Sequence, residues 1–477
     1  MSIDESRMKW YEGITKYQWL VLLIASLGWV FDVFEGQIFV ASMRDAMPAL
    51  LGVESDNEMV TAWNNIAFGF FLLGGAVGGV FFGVVSDRIG RSKTMIYTIL
   101  FYSLFTCLSA FSQAPWQMVL LRFLVAMGVG GEWAVASAMV AEVMPTRSRP
   151  VMSSIFHASS VFGTLLAAAT IAMLIGNPAL NAQLADAGWE GWRIGFAIGV
   201  LPALLTVWIR WKLREPESWQ RAKERAATDA NQATGRLRDL FSRDNLRATV
   251  VGVSLATIGL VTFWGIHIYG KNALLRRAQQ EVIQEAIQEG ILSLPDDDAS
   301  QQAKESYNNK KQEVLTQNKP RIKRAEMLSM TLNTIGGGLG LVLFGWISTK
   351  LGRRGAFVLY QVVAFGMVLL MFLYLIPQNS SQTLLAITLP VFGFFTLGMH
   401  AGYAVYFPEL YPTRMRGTGA GFCFNMGRLG TAAAFLVFGF AIKIEPESQA
   451  LLLSPLYLLG AFVVLFGRET RGEELPE

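Results

Sequence analysis

The stretch GVVSDRIGRSK, residues 83–93, decides the fold of this chain. It ends a long apolar run, and a weaker copy, GWISTKLGRR at residues 345–354, ends another. The second copy has lost the acid, because Thr349 stands where the first copy has Asp87. A charged turn with glycine between two apolar runs, present once in each half, is typical of a membrane protein built by duplication.

Composition supports the membrane assignment. Of the 477 residues, 52% are hydrophobic and 16% are charged, whereas a soluble protein carries about 25% charged residues. The net charge of +4 gives no reason to expect a nucleic-acid partner. The sequence shows no nucleotide-binding loop, metal-ligand cluster or catalytic-triad signature. We therefore expect a protein that is not an enzyme and that uses neither a cofactor nor a metal.

Apolar runs long enough to cross a bilayer recur along the chain, and each crossing needs about 20 residues. Twelve such spans are predicted, with approximate limits 18–40, 63–85, 95–113, 116–143, 150–176, 192–212, 248–270, 328–348, 355–376, 383–407, 417–441 and 449–467. The predicted fold is an all-α membrane protein with twelve transmembrane helices in two pseudo-symmetric six-helix halves, embedded in the lipid bilayer.

A second pair of motifs supports the duplication. The segment EVMPTRSR at 142–149 follows the fourth span, and ELYPTRMR at 409–416 follows the tenth. These segments are 267 residues apart, close to the 262 residues that separate Asp87 from Thr349. Two such halves enclose a site near the midplane of the membrane, and one half rocks against the other.

Basic residues set the predicted orientation. The turns after the even spans are rich in Lys and Arg, whereas the short turns after the odd spans are poor in them, with only Lys443 in the last. This pattern predicts that both termini are cytoplasmic. We expect the membrane to be a plasma membrane of the bacterial inner type. The predicted parts are a cytoplasmic tail at 1–17, a first half at 18–212, a cytoplasmic linker at 213–247, a second half at 248–467 and a cytoplasmic tail at 468–477.

An insertion at 271–326 separates the seventh and eighth spans. Two stretches, 272–289 and 299–318, have the composition of helices, and an acidic run at 296–298 lies between them. Span parity places the insertion outside the cytoplasm. Because runs of mixed charge are usually solvated, we expect a solvated helical hairpin without a membrane-facing stripe.

These motifs resemble those of the major facilitator superfamily, and the resemblance covers nearly all of the chain outside the insertion. Residues 83–93 follow its pattern G-x-L-x-D-R-x-G-R-R/K for the loop between helices 2 and 3, with small apolar swaps and Ser92 as departures. RFLVAMGVGGEW at 122–133 resembles the helix 4 signature of the sialate and lactate proton symporters. DVFE at 32–35 is similar to the D-x-x-D of aromatic-acid symporters, and GRLG at 427–430 resembles the G-R-x-G of both groups.

Four charged residues inside the first half are candidates for proton coupling. Asp32 and Glu35 lie three residues apart on one face of the first span, and Arg122 and Glu132 lie in the fourth. A charge at a helix centre costs roughly 2.5–3.5 kcal/mol, so it persists where it has a partner or a task. Two close carboxyl groups raise each other's proton affinity. Alternatively, the acids pair with Arg122 or Arg428 for structure alone, and Glu132 is a polar packing group.

The main candidate for substrate binding is Arg428, which lies roughly 18 Å into the eleventh span, near its middle. A planar guanidinium suits bidentate capture of a carboxylate. Asn425 shares its face, and His157, His400 and Tyr403 are further candidates to line the pathway. The alternative for the arginine is an ion pair with the acids of the first span, and for each histidine a packing role.

The turn after the second span is the predicted conformational latch. Its candidate residues are Gly83, Asp87, Arg88, Gly90 and Arg91. Asp87 can accept hydrogen bonds from the N-terminal end of a neighbouring helix and pair with a basic group. A contact made in only one access state biases the equilibrium between states, and we expect a weaker latch in the second half, which lacks the acid.

Together these features predict a secondary transporter. It would import a small organic acid (a monocarboxylate, sialic acid or an aromatic acid) with a proton, as a monomer driven by the proton gradient. Two alternatives stay open: a proton-coupled sugar or polyol transporter, and a non-transporting receptor on the same fold. Competition of carboxylates and sugars for uptake distinguishes an organic-acid transporter from the first alternative. Ligand binding without flux would favour the second.

Overall fold

The computed structural model describes residues 9–55, 57–175, 178–186, 189–295, 300–436 and 446–477. The α-helices of these residues are α1 Lys16–Leu51, α2 Glu58–Ile89, α3 Arg91–Ser109, α4 Pro115–Val143, α5 Arg149–Ala158, α6 Ser160–Thr170, α7 Pro178–Asp186, α8 Gly191–Ala197, α9 Ala203–Lys212, α10 Glu217–Thr228, α11 Arg243–Thr262, α12 Ile268–Gly270, α13 Ala273–Gln288, α14 Gln301–Gln317, α15 Lys319–Leu369, α16 Gln382–Gly398, α17 Ala401–Glu409, α18 Arg416–Leu436, α19 Pro446–Leu453 and α20 Pro455–Leu465. The acidic run 296–298, Lys443 and the end of the eleventh predicted span lie outside the described residues.

Each of the twelve predicted spans corresponds to helix in the described part of the chain. Eight helical stretches there are long and apolar enough to cross a membrane by length and composition. One of them contains both the eighth and the ninth span, because α15 continues through a kink at Gly352, whose φ is 79°. Only glycine adopts this backbone conformation readily. The same turn in the first half separates α2 from α3 at Gly90, with φ 117°.

Glycines on α2 let the two halves approach closely. Gly75, Gly79 and Gly83 lie four residues apart and therefore share one face of the helix, and this face packs on α18 of the second half. A Cβ at Gly83 would lie 2.6 Å from the carbonyl oxygen of Gly417, and Cβ atoms at the other two positions would collide with side chains of α18. The interface between the halves is therefore built partly from backbone against backbone.

The insertion is packed against the membrane domain. Its two predicted helices are present as α13 and α14. Most of α14 is exposed, as expected of a solvated hairpin, but buried apolar side chains also recur along α13 and form a small core with α14 and the start of α15. The members of this core are Val282, Ala286, Leu292, Val314 and Ile322. An ion pair between Arg276 and Glu447 also ties the insertion to α19.

Candidate functional site

Two acids from α1 and two charged residues from α4 meet in the interior of the first half. Glu35 forms an ion pair with Arg122. A second guanidinium nitrogen of Arg122 lies 2.5 Å from Ser109 Oγ, and the guanidinium carbon lies 4.5 Å from the centre of the Phe196 ring. Glu35 also accepts a hydrogen bond of 3.2 Å from Thr106. This buried pair is therefore balanced in charge and held on several sides.

Asp32 faces a different set of groups, although it is only one turn from Glu35. It is buried, and neither of its carboxyl oxygens has a hydrogen-bond partner in the described part of the chain. The charges that act on it are those of Glu132, Glu35 and Arg428, and Tyr102 lies beside it. The structure thus brings the predicted coupling residues together, but it divides them into the ion pair of Glu35 with Arg122 and two acids, Asp32 and Glu132, that have no ion-pair partner among the described residues.

Arg428 comes from the other half and supplies a cation without a direct anionic partner. Among the described residues no carboxylate lies within 4.0 Å of its guanidinium, and by its accessible surface the side chain is half-buried. The guanidinium carbon lies 5.3 Å from the centre of the Phe424 ring, and the group rests against Gly75 of α2. Asp32 is the acid whose charge acts on it. A half-buried cation in an aromatic setting can receive the carboxylate of a ligand.

Aromatic rings and His157 line the region next to Arg428. Trp133 stacks on Phe424 with ring centres 4.0 Å apart, and its indole nitrogen donates to Nδ1 of His157 over 3.2 Å. Because indole is only a donor, Nδ1 of His157 must be the acceptor, and Nε2 carries the hydrogen of the neutral ring. Trp29 lies 5.6 Å from the same imidazole. His157 therefore offers one N–H donor within an aromatic wall.

The other predicted substrate residues are more enclosed. Asn425 is fully buried, donates to the carbonyl of Gly421 over 2.9 Å and packs against Gly79. Tyr403 is also fully buried, and its hydroxyl donates to the carbonyl of Leu255 over 3.1 Å.

His400 lies at the junction of α16 and α17, with its ring centre 5.3 Å from that of Phe263. Its Nδ1 lies 3.0 Å from the carbonyl of Leu397, and Nε2 has no partner in the described residues. Asn425 Oδ1 is also buried without a hydrogen-bond partner in the described residues, so both side chains keep a polar atom available.

Several residues near this site were not singled out from the sequence. Thr98 and Tyr102 of α3 lie four residues apart and face Glu132 and Asp32. Trp29 and Phe424 complete the aromatic wall. A polar pair at helical spacing in an apolar span is the signal that could have identified the α3 residues.

A second polar site, here called the Asp87 cluster, comprises Asp87, Arg91, Glu142, Arg416 and Thr418. Asp87, near the end of α2, contacts the first residues of α18. It accepts hydrogen bonds from the backbone N–H groups of Gly417 and Thr418 over 3.1 and 2.7 Å, and from the Thr418 hydroxyl over 2.6 Å. Arg91 pairs with Asp87 and with Glu142, each at 2.7 Å.

An ion pair across the halves completes the cluster, since Arg416 lies 2.8 Å from Glu142. Arg88 donates to the carbonyl of Gly235 over 3.3 Å. The halves are thus joined at this end of the molecule by hydrogen bonds and charge.

The equivalent turn of the second half has fewer contacts between the halves. Arg353 pairs with Glu409 at 2.8 Å, as Arg91 does with Glu142. Among the described residues, however, Thr349 donates only to the carbonyl of Trp346 in its own helix, over 2.6 Å. The asymmetry that the sequence predicts is therefore visible in the contacts.

Family models match both halves of the chain. The model for "Sugar (and other) transporter" matches residues 20–251, and the model for "Major Facilitator Superfamily" matches residues 325–477. A cis,cis-muconate transport protein of Acinetobacter baylyi is 26% identical over 394 residues, which are 82% of this chain and 81% of the relative.

Another relative is the sialic acid transporter NanX of Escherichia coli, 26% identical over 89% of this chain and 87% of its own length. Among solved structures, the proton:xylose symporter XylE bound to 6-bromo-6-deoxy-D-glucose has a TM-score of 0.65 at 17% identity, covering 96% of this chain and 98% of that one. The likeness to this structure concerns the fold.

Proposed function

Because this chain belongs to the major facilitator superfamily and is an integral membrane transporter rather than an enzyme, we propose that it imports a small planar organic acid together with a proton. Transport proceeds by alternating access, in which the halves rock around a central site. The names of two relatives, which refer to muconate and to sialic acid, agree with a carboxylate substrate. The substrate class, the coupling ion and cytoplasmic termini in a bacterial inner membrane are all part of this proposal.

Arg428 is the observation that carries the proposal. A guanidinium inside a membrane protein normally has an anionic partner because an isolated charge there is costly. Arg428 has none within ion-pair distance among the described residues, and it is half-buried. The Phe424 ring below it, the Trp133 ring on that Phe and the N–H of His157 form a flat setting with one donor. This setting suits a carboxylate attached to a planar, unsaturated or aromatic body.

Charge balance links the substrate to the proton. The charges of Asp32 and Arg428 act on each other across the interface between the halves. A substrate carboxylate that binds Arg428 neutralises the charge of the guanidinium. The carboxylate of Asp32 is then no longer stabilised by that positive charge, so its affinity for a proton rises. Glu35 is less suited to this task because Arg122 already neutralises it. Substrate and proton then bind together, which is the requirement for symport.

The Asp87 cluster serves as the cytoplasmic gate. Asp87 contacts α18 with three hydrogen bonds that join the two halves, and Arg416 adds the ion pair to Glu142. Opening of the cytoplasmic side must break these contacts, so they favour the state that is closed on that side. Control of the cycle is therefore concentrated in the first-half turn.

Binding and flux experiments test the proposal. Purified protein is screened by thermal shift with cis,cis-muconate, benzoate, sialic acid and xylose, and each acid is paired with its neutral amide. We expect stabilisation by planar acids, weaker stabilisation by their amides, and loss of the effect in Arg428→Lys. The exposed Arg238, changed to Lys, is the matched control. Equal stabilisation by acid and amide would contradict carboxylate recognition, and stabilisation by xylose alone would indicate a sugar transporter.

Flux is then measured in proteoliposomes with the acid that stabilises best. An imposed pH gradient, acidic outside, should drive accumulation above the equilibrium ratio. Binding without counterflow would identify a receptor instead of a transporter.

A further inference from the structure

Glu132 is enclosed in a way that distinguishes it from the other buried acids. It is fully buried on α4, where it faces α1 and α3. One of its oxygens, Oε2, lies 2.5 Å from Thr98 Oγ1. The other, Oε1, has no hydrogen-bond partner in the described residues and faces Gly28, where a Cβ would lie 2.7 Å away. Among those residues, no basic side chain pairs with Glu132.

The hydroxyl hydrogen of Thr98 has two acceptors other than Glu132 within hydrogen-bond distance. Thr98 Oγ1 lies 3.1 Å from the carbonyl of Thr94 and 3.0 Å from that of Met95, both in its own helix. Threonine in a helix commonly donates to such carbonyls. A hydroxyl has one hydrogen and two lone pairs, so a Thr98 hydroxyl that donates along α3 turns a lone pair toward Glu132. In that arrangement the hydrogen between the two oxygens belongs to the carboxyl group of Glu132, whereas it belongs to Thr98 when the hydroxyl donates to Glu132 instead.

The surrounding charges favour the same protonation state. The titratable and charged groups that face this region are Asp32 and Glu35 on α1, Tyr102 on α3 and Arg428 on α18. Arg428 acts on Asp32, and Glu35 is paired with Arg122. An ionised Glu132 would therefore be a buried anion beside a second anion, with one donor at most. Such a charge is strongly disfavoured, whereas a neutral carboxyl needs only one acceptor, which Thr98 provides.

We propose that Glu132 keeps a resident proton throughout the transport cycle, as a positioning group, and that Asp32 carries the transported proton. The sequence places both acids among the coupling residues, but in the structure Glu132 contacts Thr98, whereas Asp32 is the acid on which the charge of Arg428 acts. The part of this inference that concerns transport rests on the proposed function. With Glu132 neutral, Asp32 and Arg428 balance each other, so one substrate carboxylate requires one proton, on Asp32.

Infrared difference spectroscopy tests the resident proton without substrate or gradient. Spectra of detergent-solubilised wild type and Glu132→Gln are compared at neutral pH, with Asp32→Asn as the matched control. We expect Glu132→Gln to remove the carbonyl stretch of a protonated carboxyl and Asp32→Asn to retain it. Loss of ionised carboxylate bands in Glu132→Gln would overturn the proposal, whatever the protein transports.

Thr98 provides a second test if the Gln variant does not fold. Thr98→Val removes the acceptor and should move the protonated carbonyl band, whereas Thr98→Ser keeps the hydroxyl and should leave the band in place. An unchanged band in Thr98→Val would refute the hydrogen bond on which the inference depends.

Proteoliposomes loaded with cis,cis-muconate, or with the acid that the screen selects, supply the transport readout. Glu132→Gln keeps a donor to Thr98 and changes no charge, so its rate should stay within about tenfold of wild type and its accumulation should still follow the pH gradient. Asp32→Asn should retain counterflow but lose accumulation. Counterflow without accumulation in Glu132→Gln would show that its proton is transported. Absence of transport by the wild type would contradict the proposed function and leave the infrared result to decide the inference.

Discussion

Replacement of Asp87 by Asn tests the gate most directly, because the two side chains have the same size. The carboxylate accepts three hydrogen bonds from the other half, at 3.1, 2.7 and 2.6 Å from groups of Gly417 and Thr418. It also pairs with Arg91 at 2.7 Å. An amide offers a single acceptor oxygen, and its NH₂ group would face donors in place of the second carboxylate oxygen.

The expected magnitude follows from these three bonds. A hydrogen bond to a charged group contributes about 1.5–3 kcal/mol and a neutral one about 0.5–1.5. A loss of about 1 kcal/mol for each bond destabilises the closed state by about 3 kcal/mol, which is a shift of about 100-fold in the equilibrium between closed and open gate. The central site is unaltered, so intrinsic substrate binding should stay unchanged.

Cysteine labelling measures this shift. Ser86 is fully buried beside Gly417 when the gate is closed, so Ser86→Cys reports opening in a background where Cys107 and Cys423 are changed to Ser. Asp87→Asn should raise the alkylation rate by about 100-fold, in proportion to the open population, and should slow transport. Thr349→Ala is the matched control, since in the described part of the chain that hydroxyl bonds only within its own helix. Equal labelling rates in the parent and in Asp87→Asn would refute the gate assignment.

Three further predictions address the site and the insertion. Arg428→Lys keeps the charge but loses the planar fork, so uptake at low substrate should fall at least about tenfold at an unchanged protein level; normal uptake kinetics would remove this residue from substrate binding. Asp32→Asn should exchange substrate without accumulating it. In contrast, Glu35→Gln should mainly lower the unfolding midpoint, because breaking the pair with Arg122 costs about 3 kcal/mol; unchanged accumulation in both variants would place the proton elsewhere. Replacing residues 273–320 by a short Gly/Ser bridge should lower the unfolding midpoint measured by scanning fluorimetry. It should leave the apparent substrate affinity within about tenfold, 1.4 kcal/mol, and a larger change would assign the insertion to the outer gate.

The span pattern and the duplicated turns could be predicted because they depend on composition and short motifs. The partner of each buried acid could not be predicted. Asp32 and Glu35 share a helix face, yet Glu35 meets Arg122 while Asp32 faces Glu132. The positions on α4 are ten residues apart, about 15 Å along the axis, so the pairing depends on the register between α1 and α4. No local pattern in one sequence specifies that register.

The insertion shows a different limit. Ala278, Val282 and Ala286 recur every four residues, which is the spacing of a buried helix face. The surrounding Arg, Glu and Gln residues dominate the composition of α13, so its buried face was not predicted. Weighting the spacing above the overall polarity would have predicted the packed helix.

The glycine face of α2 also affects the mechanics of transport. Where Gly83 meets the backbone of Gly417 there are no interlocking side chains, so the two halves can separate at that point without side-chain rearrangement. Arg428 and Asn425 are the α18 side chains that rest on Gly75 and Gly79. Arg428, the proposed substrate contact, therefore lies in the interface between the two halves, so a ligand that moves its side chain would act on that interface directly.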